Sequence, residues 1–356
     1  MALQQPNRMS CVSIAKGIGI LLVVLGHCIT APYLKRMIYL FHMPLFFFLS
    51  GYLFKDKSTE QIFAYTWKKV KGLYLPFVLY NCFALALHQT FCRMGLYRPE
   101  AAFASFGGFA KYFVQIMLCV KMEDVVAPLW FLPILMAVSV GFCVLRWLEL
   151  RLKLPAVLRH ILICGLFLGV YLLPNRTGLF RAYVLVAVGL FVFNMGYTIR
   201  NHPIRLPAWG GALGAAVAAG VLSVLACYFD VNVIKMQLAD PITFTLGSFS
   251  GIYLTWYLSR LLEKWGGKPF QYCGDRSRTI LAWHYYAFLL VTVAQFLLRH
   301  GSLKGLNNFV LYRRMDAWMV FVWTLIYFCV GVTLPLLLDL VKSAVSGLRN
   351  KAKAQL

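Results

Sequence analysis

The sequence predicts an all-α integral membrane protein, a bundle of about ten transmembrane helices with both termini in the cytoplasm. Of its 356 residues, 61% are hydrophobic and only 13% are charged, and the mean hydropathy is +0.71. A soluble domain could not bury so much apolar side chain, so much of it must face lipid. Apolar stretches of about 20 residues, the length that a helix needs to cross a bilayer, also recur along the chain.

These stretches give the predicted membrane spans in order. They cover roughly residues 12–31, 37–54, 72–92, 128–147, 158–174, 180–199, 208–228, 241–261, 277–298 and 317–341. The first keeps Lys16 and is followed by no small-residue cleavage site, which favours a retained anchor over a removed signal peptide. The longest external link contains an amphipathic piece, Phe109 to Val120, which we expect to lie along the interface as a lid.

The net charge of +23 reflects topology. Lys and Arg residues punctuate the apolar runs and form no single basic face, which argues against nucleic acid as a partner and for membrane lipids. The link from Lys55 to Lys71 is strongly basic, whereas the link from Phe229 to Asp240 holds only Lys235. The positive-inside rule therefore predicts cytoplasmic termini.

Lys16 and His27 are the first candidate functional residues. Eleven residues apart, they lie on one face of the first predicted helix, about 16 Å apart along its axis. An ionisable side chain within a bilayer is costly unless a partner or a water-filled cavity receives it. In the alternative interpretation, Lys16 extends to the interface and His27 bonds a neighbouring carbonyl.

His42 strengthens the functional interpretation. The second span begins outside, so His42 lies about 8 Å from its outer end, while His27 lies about 22 Å from the inner end of the first. The two imidazoles are therefore expected at similar depth, near a carbonyl that Pro44 leaves without its helical donor. Imidazole can take and return a proton at neutral pH. A metal site is disfavoured, because neither histidine has a third ligand at helical spacing.

Further candidates lie at both membrane surfaces. Lys68, Lys69 and Lys71 open the third span, and they serve either as a topology signal or as a grip for phosphate groups. Asp124 and Trp130 lie at the outer interface, where a carboxylate and an aromatic ring suit a sugar, although a belt tryptophan is the ordinary interpretation. His284, in the ninth span, binds either substrate or a neighbouring helix.

The first two spans, with Lys16, His27 and the run from Phe41 to Phe54, resemble acyltransferase family 3 of the membrane acyltransferases, particularly its fucose 4-O-acetylase-like branch. Later segments agree in order: Leu73 to Pro76, Pro128 to Leu132, Asn194 to Tyr197 and Tyr272 to Ser277. Because the resemblance covers nearly the whole chain, we expect one transmembrane acyltransferase domain over residues 1–356.

The resemblance implies a multi-pass O-acetyltransferase of the bacterial cytoplasmic (inner) membrane. Such an enzyme moves an acetyl or other short acyl group from cytoplasmic acetyl-CoA (acyl-CoA) to a hydroxyl of an extracytoplasmic or lipid-linked carbohydrate, as in polysaccharide modification. His27 matches the family's essential histidine. Lys16 stands where many members have Arg and lacks the bidentate fork of that residue. Lys69 and Lys71 occupy the region of the family's paired arginines.

The resulting hypothesis assigns a role to each candidate. His27 deprotonates the acceptor hydroxyl, and His42 orients it or stabilises the oxyanion. Coenzyme A binds the basic residues Lys16, Lys68, Lys69 and Lys71, and the acceptor binds near Asp124, Trp130 and His284. The rival hypothesis is a transporter or flippase of a lipid-linked sugar or similar amphiphile, which would move substrate without consuming a thioester. A catalytically inactive scaffold is disfavoured by the presence of both histidines. The identity of the acceptor and the oligomeric state stay open.

Overall fold

The computed structural model describes residues 6–173, 180–203, 208–300, 310 and 315–354. Within these ranges the regular elements are helices, apart from one isolated bridge between Asn232 and Gln237. The predicted all-α class is therefore confirmed.

Fourteen α-helices form the described part of the chain. The first seven are α1 (Pro6–Cys28), α2 (Pro32–Tyr39), α3 (His42–Tyr52), α4 (Thr59–Lys69), α5 (Leu75–Arg93), α6 (Phe106–Met117) and α7 (Phe131–Arg151). The others are α8 (Ala156–Gly169), α9 (Phe180–Asn201), α10 (Ala208–Tyr228), α11 (Pro241–Trp265), α12 (Lys268–Asp275), α13 (Ser277–His300) and α14 (Ala317–Ala354).

Seven stretches of the described chain are long and apolar enough to cross a membrane. They are Ser10–Cys28, Thr59–Arg93, Asp124–Arg151, Phe180–Asn201, Gly211–Tyr228, Ser277–Leu298 and Ala317–Ser346. Of the other predicted spans, residues 158–174 correspond to the shorter apolar helix Ala156–Leu172, residues 37–54 are split between α2 and α3, and residues 241–261 lie in α11. The count of ten and the side on which the termini lie stay predictions.

The helices belong to two compact units. The first unit comprises the chain up to Leu22, Ala31–Phe77 and Phe131–Gly274. The second comprises Val23–Thr30, Val78–Trp130 and the chain from Asp275 onwards. The predicted single domain stays a prediction.

In the first unit, α3 and α9 pack with their backbones in close contact. A Cβ atom added to Gly51 of α3 would lie 1.9 Å from the carbonyl oxygen of Phe193, and one added to Gly196 of α9 would lie 2.1 Å from that of Phe48. Each helix thus presents a glycine to the backbone of the other, the small-residue packing typical of membrane helices. This contact fixes the position of α3.

Pro44 explains why the predicted second span is broken between α2 and α3. A proline has no N–H to donate to the carbonyl four residues earlier, and its ring clashes with that carbonyl in a continuous helix. In this chain the carbonyl is that of Leu40, and it accepts a hydrogen bond from the hydroxyl of Ser248 at 3.2 Å. The predicted release of a carbonyl by Pro44 is therefore confirmed, and its new partner comes from α11.

The third predicted span starts earlier than expected. Helix α4 begins after Ser58, whose backbone N–H donates to Oε1 of Gln61 at 3.4 Å, the reciprocal contact of a capping box. A π-helical turn, Val70–Tyr74, then joins α4 to α5. Residues 59–69, expected in a loop, are consequently helical because a capping sequence precedes them.

In the second unit, α13 packs against α14 through a buried polar cluster. The hydroxyls of Thr292 and Tyr327 lie 2.7 Å apart, and Tyr327 donates to Oε1 of Gln295 at 2.8 Å. All three side chains are fully buried, so their mutual hydrogen bonds stabilise the pair of helices. This packing fixes α13, which carries His284.

The amphipathic piece predicted from Phe109 to Val120 lies mostly in α6, in the link between α5 and α7. Ser105 precedes α6 and accepts a hydrogen bond from the N–H of Gly108 at 3.2 Å. Phe106 and Val114 are exposed, whereas Ile116 is buried in the second unit. The role of this helix as a lid stays a prediction.

Candidate active site

His27 lies in the last turn of α1, within the second unit. Its Nδ1 atom is 3.0 Å from the hydroxyl of Tyr285, and its ring centroid is 5.4 Å from that of His284. Both partners belong to α13. The structure therefore brings together two predicted site residues, His27 and His284, and adds Tyr285, which sequence reasoning missed.

The ring of His284 has a defined tautomer. Its Nδ1 atom lies 3.0 Å from the carbonyl oxygens of both Ile280 and Leu281. Carbonyl oxygens only accept, so Nδ1 donates, and in the neutral ring Nε2 then carries the lone pair. This Nε2 atom is buried and has no hydrogen-bond partner among the described residues. It can accept a hydrogen bond from a hydroxyl that enters beside His27.

His42 is the first residue of α3 and belongs to the first unit. Its Nδ1 atom donates to the carbonyl of Ile38 at 2.9 Å, and its ring stacks on that of Tyr39 with centroids 4.9 Å apart. The side chain is buried. The expected pairing of His42 with His27 stays a prediction.

A cavity of about 670 Å³ lies within the first unit. Five lysines line it, and none of its described lining residues is acidic. These lysines are Lys16, Lys55, Lys57, Lys68 and Lys69, and we call the space the lysine cavity. The structure thus brings together Lys16, Lys68 and Lys69, which were predicted to bind the coenzyme, and adds two lysines from the link between α3 and α4. Such a concentration of ammonium groups favours a polyanionic ligand.

Lys71, the fourth predicted coenzyme-binding residue, has a different environment. The cavity-lining residues of α4 and the π-helical turn follow one helical stripe: Gln61, Ala64, Tyr65, Lys68, Lys69, Gly72 and Leu73. Lys71 lies off this stripe, and its Nζ atom is 5.1 Å from the ring centroid of Trp67. It is not among the lining residues of the cavity.

Comparison with known proteins identifies the family. The model of a family described as an acyltransferase domain, that of acyltransferase family 3, matches residues 10–340. The chain belongs to acyltransferase family 3. No curated protein and no solved structure matches it.

The family and the apolar helices together make this chain a multi-pass membrane acyltransferase. Its reaction requires an acyl donor and an acceptor substrate. Among the described side chains of the acyltransferase, no group of three or more His, Cys, Asp or Glu residues is arranged to hold a metal ion. That the reaction needs no metal stays a prediction.

Asp124 and Trp130, the predicted acceptor-binding residues, lie at opposite ends of one 3-10 stretch in the second unit of the acyltransferase. Asp124 is exposed, whereas Trp130 is buried with only 9% of its surface accessible. Burial of the indole is not typical of a tryptophan in the aromatic belt. The role of both residues in acceptor binding stays a prediction.

Sequence reasoning missed Glu123, whose side chain is fully buried beside Asp124. Its carboxylate lies 2.9 and 3.0 Å from Nδ1 of His88, and Nε2 of His88 lies 2.9 Å from the carbonyl of Ala101. Both nitrogens face acceptors, a geometry that an imidazolium satisfies and that pairs with the carboxylate. A histidine within one helix and a glutamate 35 residues later form no local pattern that predicts their contact from the sequence.

Two tyrosines of the link between α5 and α7 surround this pair. Burial, reinforced by the negative charge of Glu123, raises the pKa of Tyr97 and of Tyr112. Both phenols therefore stay neutral, and Tyr112 donates to the carbonyl of Met122 at 3.0 Å. The cluster holds the link between α5 and α7 of the acyltransferase against α5.

Proposed function

We propose that this acyltransferase moves an acetyl group from cytoplasmic acetyl-CoA to a hydroxyl of an extracytoplasmic or lipid-linked carbohydrate in a bacterial inner membrane. The observation that carries the proposal is the lysine cavity. Coenzyme A is a polyanion with a diphosphate and a further phosphate, and five ammonium groups around about 670 Å³ suit such a ligand. The assignment to the fucose 4-O-acetylase-like branch rests on the sequence resemblance alone and belongs to the same proposal.

Lys16, Lys68 and Lys69 bind the phosphate groups in this proposal, with Lys71 acting from outside the cavity. Lys16 also links the two ends of the reaction, because α1 carries both Lys16 and His27. Eleven residues of helix span about 16 Å, a distance that the pantetheine arm of coenzyme A can extend along. The proposal requires that this arm bring the thioester to His27.

His27 acts as the general base on the acceptor hydroxyl. With its Nδ1–H donated to the oxygen of Tyr285, Nε2 takes the proton while the hydroxyl oxygen attacks the thioester carbonyl. A C–O bond forms, the C–S bond breaks, and the thiolate leaves with a proton as free coenzyme A. His284 accepts a hydrogen bond at Nε2 from a second hydroxyl of the carbohydrate, and His42 orients the acceptor or stabilises the oxyanion. Asp124 and Trp130 contact the carbohydrate.

The test is mass spectrometry of surface glycans from cells that carry the wild-type chain, the His27→Ala variant, or neither. We expect acyl-modified glycan only with the wild type. His202→Ala is the matched control, because His202 is an exposed histidine at the end of α9. Glycans that carry the same modification in the cells without this chain would contradict the proposed acceptor class.

A transporter of a lipid-linked sugar would behave differently in a second assay. Membranes containing the wild type, supplied with acetyl-CoA and an envelope glycan fraction, release free thiol if acyl transfer occurs. Movement of the sugar without thiol release would favour the transporter.

A further inference from the structure

The link between α3 and α4 directs alternate side chains into two different surroundings. Lys55 and Lys57 line the lysine cavity, whereas Asp56, between them, contacts α7 and α9. Asp56 is covalently joined to both lysines, and Nζ of Lys57 also donates to the carbonyl oxygen of Lys55 at 2.7 Å. Contacts that hold Asp56 therefore restrict the backbone that carries Lys55 and Lys57.

Asp56 is held on both carboxylate oxygens. Arg146 donates from Nε to Oδ1 and from Nη2 to Oδ2, each at 3.2 Å, in the bidentate geometry that a guanidinium favours. The hydroxyl of Tyr197 donates to Oδ1 at 2.9 Å. We call these three residues the Asp56 clamp.

Two further contacts attach the chain on either side of Asp56, one through its backbone and one through a side chain. Arg200 of α9 donates from Nη1 to the carbonyl oxygen of Tyr52 at 2.9 Å, just before the link. Trp147 of α7 donates from Nε1 to the hydroxyl of Thr59 at 2.9 Å, just after it. The link is thus attached at its start, its middle and its end to the same two helices.

The clamp belongs to an ion-pair network without net charge, formed by Asp56, Arg146, Glu149 and Arg159, in which Glu149 and Arg159 are buried and Asp56 is exposed. Arg146 also pairs with Glu149, and Glu149 accepts a hydrogen bond from the buried Arg159. The Nε atom of Arg159 donates to Oδ1 of Asn194 at 3.1 Å. Two carboxylates thus balance two guanidinium groups, and neither arginine lines the lysine cavity. The network supports the link without adding to the positive charge of the cavity.

We propose that Asp56 is a positioning residue for the acyl donor, and that the Asp56 clamp directs Lys55 and Lys57 towards the phosphate groups of coenzyme A. The inference rests on the proposed function, because it takes coenzyme A as the ligand of the lysine cavity. It predicts in which direction the affinity for coenzyme A changes when Asp56 is replaced. Electrostatics alone would make an anion bind more tightly once the negative charge of Asp56 is removed. Positioning requires that the same change weaken binding.

The test is the dissociation constant of coenzyme A, measured by titration calorimetry on the full-length protein in lipid nanodiscs. We expect Asp56→Asn to weaken binding about fivefold, and the double variant Lys55→Ala/Lys57→Ala to weaken it about tenfold. In the triple variant, Asp56→Asn should have no further effect, since the lysines that it positions are gone. Tyr197→Phe keeps the packed ring and loses one hydrogen bond to Asp56, so we expect a smaller weakening, about twofold. This variant tests the clamp if Asp56→Asn does not fold.

Glu60→Gln is the matched control. Glu60 is an exposed carboxylate in the first turn of α4, so the change removes a negative charge near the link without touching the clamp. Its binding should equal that of the wild type or be slightly tighter. Unchanged or tighter binding by Asp56→Asn, or a further loss in the triple variant, would overturn the positioning role. Failure of the wild type to bind coenzyme A would instead overturn the proposed function.

Discussion

The hydroxyl oxygen of Tyr285 lies 3.0 Å from Nδ1 of His27, in the second unit. A hydrogen bond on one ring nitrogen orients an imidazole and sets its tautomer, that is, whether the other nitrogen carries a proton. If His27 is the base, Tyr285 is the group that orients it.

Replacing Tyr285 tests this relationship. Tyr285→Phe should lower the rate of thiol release from acetyl-CoA about tenfold at saturating donor, because His27 loses its orienting partner. The affinity for coenzyme A should not change. Tyr286→Phe is the matched control: the adjacent hydroxyl is buried and has no hydrogen-bond partner among the described residues, so its removal should leave the rate unchanged. Equal rates for Tyr285→Phe and the wild type would rule out the orienting role.

Lys69, on the helical stripe, and Lys71, off it, give a second prediction. Lys69 lines the lysine cavity, whereas Lys71 lies against Trp67. Lys69→Ala should weaken coenzyme A binding about five- to tenfold, and Lys71→Ala should change it about twofold at most. Titration calorimetry on both variants measures the difference. A larger loss of coenzyme A affinity with Lys71→Ala than with Lys69→Ala would mean that the coenzyme binds outside the cavity.

The contact between α3 and α9 predicts an effect on folding. Gly51→Ala places a methyl group against the carbonyl of Phe193, so we expect a loss of stability of about 3 kcal/mol or more and a low yield of monodisperse protein. Gly72→Ala adds the same methyl group where no atom lies within 4 Å, and it should fold as the wild type does. Size-exclusion chromatography of fluorescent fusions compares the two. Normal yield of Gly51→Ala would contradict the close packing.

The hydrogen bond at the break between α2 and α3 gives a fourth prediction. Ser248→Ala leaves the carbonyl of Leu40 without its side-chain donor, which should lower the free energy of unfolding by about 1–3 kcal/mol. Thr245→Ala, on the same helix, removes only a hydroxyl bonded to the carbonyl of Pro241 one turn away. Thermal unfolding in detergent should therefore show a larger shift for Ser248→Ala. Equal shifts of the unfolding temperature in the two variants would contradict the prediction that the Leu40 carbonyl depends on Ser248 for a donor.

Local chemistry made part of this structure predictable. The apolar composition identified the helical membrane class, and Pro44 correctly indicated a carbonyl in need of a new donor. The helical spacing of Lys68 and Lys69 with Gln61 was also present in the sequence, but a loop was assumed there. The capping box at Ser58 was the missed signal.

Long-range contacts were not predictable in the same way. Asp56 and Tyr197 are 141 residues apart, and no local pattern pairs them. The choice between Glu123 and Asp124 as the buried carboxylate depends on which one faces His88, a matter of tertiary packing. The tautomer of His284 likewise follows from the carbonyls that its ring meets in α13.

The most direct test of the account is acyl transfer by His27→Ala, measured as thiol release from acetyl-CoA in nanodiscs with an envelope glycan fraction. We expect this variant to bind coenzyme A with the affinity of the wild type, since the lysine cavity is intact. We also expect its thiol release to fall to the level measured without glycan. A folded His27→Ala protein that transfers the acyl group at the wild-type rate would contradict the central claim.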